Sequence, residues 1–271
     1  MALEQYFRTQ WRSNNHEKPR RVRKVYLPIS IVCLLATFLL LPVVKAGSNK
    51  NLKAVNSIAT ISNVVVTANT SSAEAAASTI YDSLQLDELG LNKKAMLYAY
   101  EGQQKLEEEG LVNNPDILTV CDFSQPSDSK RMYVIDVKNY KVLMNTYVAH
   151  GKNSGLEYAK RFSNRFESLQ SSLGFYITRQ TYVGKHGLSL RLSGLDKGFN
   201  DNAEARAVVV HGAPYIGEQR ADAAYMGRSF GCPAVPQQVA SKVINYIKDG
   251  TTLFIYYPSQ QYLHGSTILN G

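Results

Sequence analysis

Cysteine is scarce, with three among 271 residues, too few for the disulfide frameworks that staple small secreted domains. Cys33 lies in an apolar run, so only Cys121 and Cys232 remain for a folded domain. Metal-ligand spacing is missing too: there is no His-Glu-x-x-His, no Cys-x-x-Cys and no close pair among the five histidines, which argues against the usual zinc sites. Neither common glycine-rich phosphate loop occurs, which argues against a nucleotide cofactor. No metal and no cofactor is therefore expected. Charge of one sign is also missing where it would matter. The formal charge is +8, but residues 1–46 hold eight Lys or Arg against Glu4 and Glu17. The rest of the chain is almost neutral, so no nucleic-acid partner is expected, because that footprint has to lie on the folded domain.

What is present begins with twenty uncharged residues, Val25 to Val44, behind a strongly basic flank. The run is long enough to cross a bilayer, and the basic flank predicts export of everything after Lys45. Val44-Lys45-Ala46 before Gly47 also resembles a cleavage site, so an uncleaved anchor and a long signal peptide both fit. Residues 1–46 are thus a targeting segment, with the later part anchored at the inner membrane on the periplasmic or cell-wall side, or secreted. Residues 47–78, rich in Asn, Ser, Thr, Ala and Val, read as a flexible spacer. Over 79–114 the apolar residues recur at helical spacing around a Gly90 stop, which predicts a helical lead-in.

After Pro115 the texture turns to short strands. ILTVCDF, RMYVIDV, KVLMNTYVAH, FYITRQTYV, LSLRLSG and ARAVVVHG follow one another closely, with a hairpin turn at Lys138-Asn139-Tyr140. Pro236 to Lys248 reads as an amphipathic helix, TTLFIYY as a last buried strand and 259–271 as a tail. The pattern predicts a mainly β fold, a β-sandwich or distorted barrel over 115–258 with flanking helices, not a doubly wound parallel sheet. A monomer is expected.

The residues that carry chemistry lie between Ala207 and Val235. A buried-looking strand ends at His211-Gly212, and Ser229-Phe230-Gly231-Cys232-Pro233 follows in a loop. A thiol beside an imidazole can lose its proton to it and become a nucleophile. Gly231 leaves room for a substrate carbonyl, and the amides of Gly231 and Cys232 are candidates for an oxyanion hole. Cys121, inside an alternating strand, reads as a small core residue. His186 and His150 each stand beside a glycine, where turn chemistry competes with a substrate-side role. Asn200, Asp201 and Asn202 read as a turn.

The spacing of His211 to Ser229-x-Gly231-Cys232 resembles the signature of YkuD-type L,D-transpeptidases. FSN, SSLGFY, YVGKHGLSLRL, GFNDNA, RAVVVHGA and RSFGCPAV together resemble the murein L,D-transpeptidase catalytic domain family over roughly Ile117 to Tyr257. The resemblance implies a YkuD-like core and cysteine acyl transfer on peptidoglycan stem peptides, opening the bond between the third residue and D-Ala. It implies Cys232 as nucleophile, His211 as base, the Gly212 carbonyl as orienter of the imidazole, and Ser229 and Gly231 as shapers of the loop. Phe230 and Ala234 depart from the commoner pattern, which often has His and then Arg or Asn there. Arg228 or Arg191 would then have to supply a substrate-carboxylate contact. An amine acceptor would give a crosslink, and water would make the protein an L,D-carboxypeptidase. An anchored wall-binding module without activity is the reading from a different class. An NlpC/P60-like endopeptidase fits less well, since there the nucleophile usually precedes its histidine.

Overall fold

The computed structural model describes residues 71–271. The apolar run 25–44, its basic flank and most of the spacer lie outside the described residues. Among the described residues no helix is long and apolar enough to cross a membrane.

Helix α1 spans Ser72–Ser83, and the Ser71 side chain caps it by accepting from the Glu74 N–H at 3.1 Å. It starts inside the segment read as spacer, because Ser-Ala-Glu-Ala-Ala-Ala-Ser combines a cap with strong helix formers. Helix α2, Lys93–Glu108, is capped by Asn92, whose own N–H donates to the buried Asp122. The two helices pack on each other and α2 lies on the sheet.

Eight strands follow: β1 Ile117–Asp122, β2 Met132–Asp136, β3 Lys141–Thr146, β4 Gly174–Gly184, β5 Gly187–Gly194, β6 Val209–Ala213, β7 Ala234–Pro236 and β8 Thr252–Tyr256. They form one sheet in the order β3-β2-β1-β8-β4-β5-β6-β7. Pairing is antiparallel except between β1 and β8 and between β6 and β7. The chain leaving β3 returns to the far edge, where the Ala149 N–H donates to the Ala234 carbonyl of β7 at 2.8 Å. The sheet is therefore nearly closed, which is the distorted barrel that the strand pattern predicts. Helix α3, Ala240–Ile247, starts later than the sequence pattern suggests, because residues 234–236 are drawn into β7 by pairing with β6.

β8 is wholly buried, and it sits in the middle of the sheet between β1 and β4. On one face Phe175 of β4 stacks on Phe254 with ring centroids 4.2 Å apart. Gly102 of α2 lies directly over the Phe175 ring. Cys121 is fully buried in β1, and burial pushes its thiol up to about 12, as fits a core residue.

The residues after 258 are more than a tail. They form α4, Gln260–Gly265, and α5, Thr267–Asn270. The buried carboxylate of Asp196 accepts from the Phe175 N–H at 2.6 Å, from the Tyr262 hydroxyl at 3.2 Å and from the Ser266 hydroxyl. Burial raises the Asp196 pKa, and these hydrogen bonds draw it back. Asn200 closes the same node, its side chain accepting from the Asp196 N–H and donating to the Phe175 carbonyl.

Gly102 gives a test in which two effects oppose each other. Alanine gains about 1 kcal/mol in helix propensity, but its methyl would overlap the Phe175 ring, and overpacking costs about 1–3 kcal/mol. Gly102→Ala is expected to lower the urea midpoint. A raised midpoint would show that the α2 contact with β4 is loose.

Candidate active site

The site is organised by a buried cation. Arg131, preceding β2, is completely buried and donates to the Val148 carbonyl from Nε at 3.2 Å and from Nη2 at 3.0 Å, and to the Gln125 carbonyl at 2.9 Å. Nη2 also donates to Nδ1 of His150 at 2.8 Å. A guanidinium has no acceptor to offer, so His150 Nδ1 is the unprotonated nitrogen. Burial first, and then Arg131, push the His150 pKa down to about 3. His150 is thus a neutral internal residue, not a substrate contact.

Its backbone reaches the chemistry. The His150 carbonyl accepts from the Ser229 N–H at 3.0 Å, and the Ser229 carbonyl accepts from the Lys152 N–H at 2.8 Å. The Ser229 hydroxyl donates to the Cys232 carbonyl at 2.6 Å and accepts from the Gly231 N–H at 3.0 Å. Gly231 has φ +127°, and a Cβ there would come 2.8 Å from the Gln170 carbonyl, so this turn requires glycine. Its amide is already occupied by Ser229, which corrects the expectation that it helps form an oxyanion hole. Of the two amides considered, the one not taken by Ser229 is that of Cys232.

His211 lies on β6 opposite Ala234 of β7, two residues beyond Cys232. The two side chains line one cavity of about 670 Å³. His211 Nδ1 is 2.9 Å from the Gly212 carbonyl, so Nδ1 carries the proton and Nε2 is the free base. Burial lowers the His211 pKa, opposed by the Gly212 carbonyl and aided by His186 and Lys185. His186, at the β4–β5 turn, stacks on His211 with ring centroids 4.4 Å apart.

Cys232 is a half-buried free thiol whose Sγ donates to the Ala207 carbonyl at 3.8 Å. Among the described residues it makes no hydrogen bond to His211. Burial raises its pKa, while the backbone N–H of Val209 and the charges of Arg206 and Lys185 lower it.

The arginines are distributed differently from the sequence expectation. Arg228 lines the cavity, but its Nη1 donates to the carbonyls of Lys152 and Gly155 and its guanidinium lies over Tyr225. Arg191 lies over the Tyr182 ring at 4.6 Å and is not part of the lining. Arg206 does line it, and its head is held by the carbonyls of Ser163 and Gln170 and the hydroxyls of Ser168 and Ser172. No local pattern marks Arg206, because its partners lie 34 to 43 residues away. Phe230, 68% exposed, lines the cavity mouth with Lys152 over its ring. Among the described residues no cluster of His, Cys, Asp and Glu could hold a metal ion.

A nearly closed mixed sheet with a thiol and an imidazole on its β6–β7 edge defines the class: a domain of the L,D-transpeptidase type. Residues 87–256 match the family model of the L,D-transpeptidase catalytic domain of the YkuD group, and the chain belongs to that family. Similar solved structures include an L,D-transpeptidase from Mycobacterium smegmatis, 15% identical, TM-score 0.33, covering 52% of this chain and 59% of that one. The helical cell shape determining protein of Campylobacter jejuni is 14% identical, TM-score 0.37, with 59% and 57% covered. An L,D-transpeptidase of Xylanimonas cellulosilytica is 14% identical, TM-score 0.30, with 66% and 93% covered. The chain thus spans 59% of the length of the mycobacterial protein. No curated protein matches.

The directions of the two pKa shifts predict a resting pair of neutral thiol and neutral imidazole. Alkylation of Cys232 by iodoacetamide, followed by peptide mass, is expected to keep rising at alkaline pH beyond the point where an ordinary thiol levels off. Arg206→Gln is expected to push that midpoint higher still, since Arg206 lowers the thiol pKa. A plateau already reached near neutral pH would instead reveal a preformed thiolate.

Proposed function

We propose that the chain is a cysteine-dependent L,D-transpeptidase acting on peptidoglycan stem peptides. The observation that carries this reading is the convergence of Cys232 and a tautomer-fixed His211 on one cavity inside a domain of this family. In this reading His211 Nε2 takes the thiol proton. The thiolate attacks the carbonyl of the third stem residue, and the Cys232 N–H receives the developing oxyanion. The imidazolium returns the proton to the departing D-Ala amine, leaving a thioester on Cys232. An amine from a neighbouring stem then attacks, His211 accepts its proton, and the thiol is regenerated with a crosslink between third residues. Water in place of the amine gives a tripeptide, which is the L,D-carboxypeptidase outcome.

The same reading places the domain outside the cytoplasm, supported by the apolar run 25–44 and its basic flank. Arg206 and Lys185 supply positive charge at the cavity, where the carboxylates of a stem peptide would enter.

Cys232→Ser is expected to abolish turnover of purified tetrapeptide muropeptides while folding survives, and His211→Ala to slow it about 10²–10⁴-fold, the worth of a positioned base. Intact mass after exposure to a tetrapeptide donor should show an adduct on Cys232, and product mass separates crosslink from tripeptide. Full activity of Cys232→Ser would sink the assignment.

A further inference from the structure

Beyond Thr178 strand β4 leaves β8 and pairs with β5 alone, as far as a two-residue turn at Lys185-His186. Gly184 and Gly187 are the last pair of the two strands, and Gly187 closes the turn at φ +77°. Its carbonyl accepts from the Ser189 hydroxyl at 3.2 Å. Arg191 of β5, outside the cavity lining, lies over the Tyr182 ring of β4 and braces the two strands against each other. Ser189 stands opposite His211 in the pairing of β5 with β6, so the register sets the braced turn beside that residue.

His186 thereby covers one face of the His211 ring, with centroids 4.4 Å apart and planes 25° apart. The Gly212 carbonyl holds one edge of the same ring through Nδ1. A single hydrogen bond leaves a ring free to pivot about it, and contact with a face removes that freedom. The two contacts together fix the position of Nε2, the nitrogen that has to meet the thiol. The rings differ in their surroundings: His211 is buried and His186 is exposed.

We propose that His186 is a positioning residue for the reaction, clamping the ring of His211 and keeping that base from charging before it has taken the thiol proton. The inference rests on the cysteine acyl-transfer reading, in which His211 is the base, and it gives His186 no contact with substrate. Burial is the largest cause that lowers the His211 pKa, and His186 and then Lys185 add to it against the Gly212 carbonyl. The other charged or titratable groups on the cavity are Tyr182 from the hairpin, Arg206 and Tyr215 on either side of β6, and Arg228 and Cys232 from the nucleophile loop. Glu167 is the one carboxylate among the described lining residues. Without the charge of His186 the His211 pKa rises, so activity that needs a neutral base is lost at a higher pH on acidification.

The test compares His186→Phe with His186→Ala in the full-length protein. Phenylalanine keeps a ring on His211 without a charge, and alanine removes both. On purified tetrapeptide muropeptides, His186→Ala is expected to lower kcat about tenfold or more with KM unchanged, the cost of a loosened reacting group. His186→Phe is expected to restore the plateau of kcat/KM while its acid limb moves to higher pH. Titration of ring-labelled histidine by NMR, in a chain with five histidines, reads the base without turnover, and the His211 midpoint should rise in His186→Phe. Lys185 is present in both proteins, so that shift belongs to His186. Equal losses in the two variants would mean that a nitrogen of His186 touches substrate. That result, an unaffected His186→Ala, or an unmoved His211 midpoint would each overturn the proposal. Turnover that neither variant changes leaves the enzyme reading intact and sinks the clamp. A raised His211 midpoint in a protein that never turns over muropeptides would sink the enzyme reading and keep the hold of His186 on His211.

Discussion

A guanidinium buried with no hydrogen-bonded carboxylate, Asp122 and Asp128 acting on it only from a distance, is the constraint on which the site depends. Removing an ion from water costs several kcal/mol even after relaxation, and Arg131 offsets this with the carbonyls of Val148 and Gln125, the His150 imidazole and the face of Phe123, 4.6 Å from its charge centre. Burial lowers its pKa only to about 10, so it remains charged at neutral pH. Two of its partners, Val148 and His150, flank Ala149, which carries the hydrogen bond that closes the sheet onto β7. The next link in the same stretch, from His150 to Ser229, sets the height of the Cys232 loop. Barrel closure and the placement of Cys232 are therefore one structural problem with one solution.

Much of the fold was legible because it is local. The strand pattern located seven of the eight strands and the Tyr140 turn, though not β7, and it put His211 at a strand end where it is the middle residue of β6; Gly231 proved to be demanded by a positive φ. What was illegible is long-range. Arg131 and Arg206 look like surface charges in a linear sequence, because their carbonyl cradles come from distant segments. Residues 259–271 read only as a tail because nothing near Ser266 announces that its hydroxyl is bound to Asp196, 70 residues earlier. The Gly231 amide looked free because a serine two residues before it can satisfy it only in the folded turn. Arg228 and Arg191 were reasonable candidates by proximity in sequence, yet ring faces and backbone carbonyls hold them.

The field inside the catalytic cavity has a sign. Arg206 and Lys185 both favour the anionic sulfur, whereas His186 and Lys185 disfavour a charged His211. Such a site does not store an ion pair at rest. It holds two neutral partners in a positive environment, and under the proposed reaction that environment would be most complementary when negative charge appears on a carbonyl oxygen.

The central position of β8 governs how the chain can reach this state. Strands β1 to β3 make one ribbon and β4 to β7 another, and the seam between them is β8, parallel to β1 and antiparallel to β4. Until Thr252 and the residues after it have emerged, both ribbons expose a bare edge of unpaired amides and carbonyls, the geometry that invites pairing with the wrong chain. Loop closure over more than 100 residues must precede the reward of the β1–β8 pairs, which marks a slow search. A polypeptide made or threaded from its N-terminus would keep both edges bare until β8 has emerged, and a holding chaperone would have its longest task on this strand order.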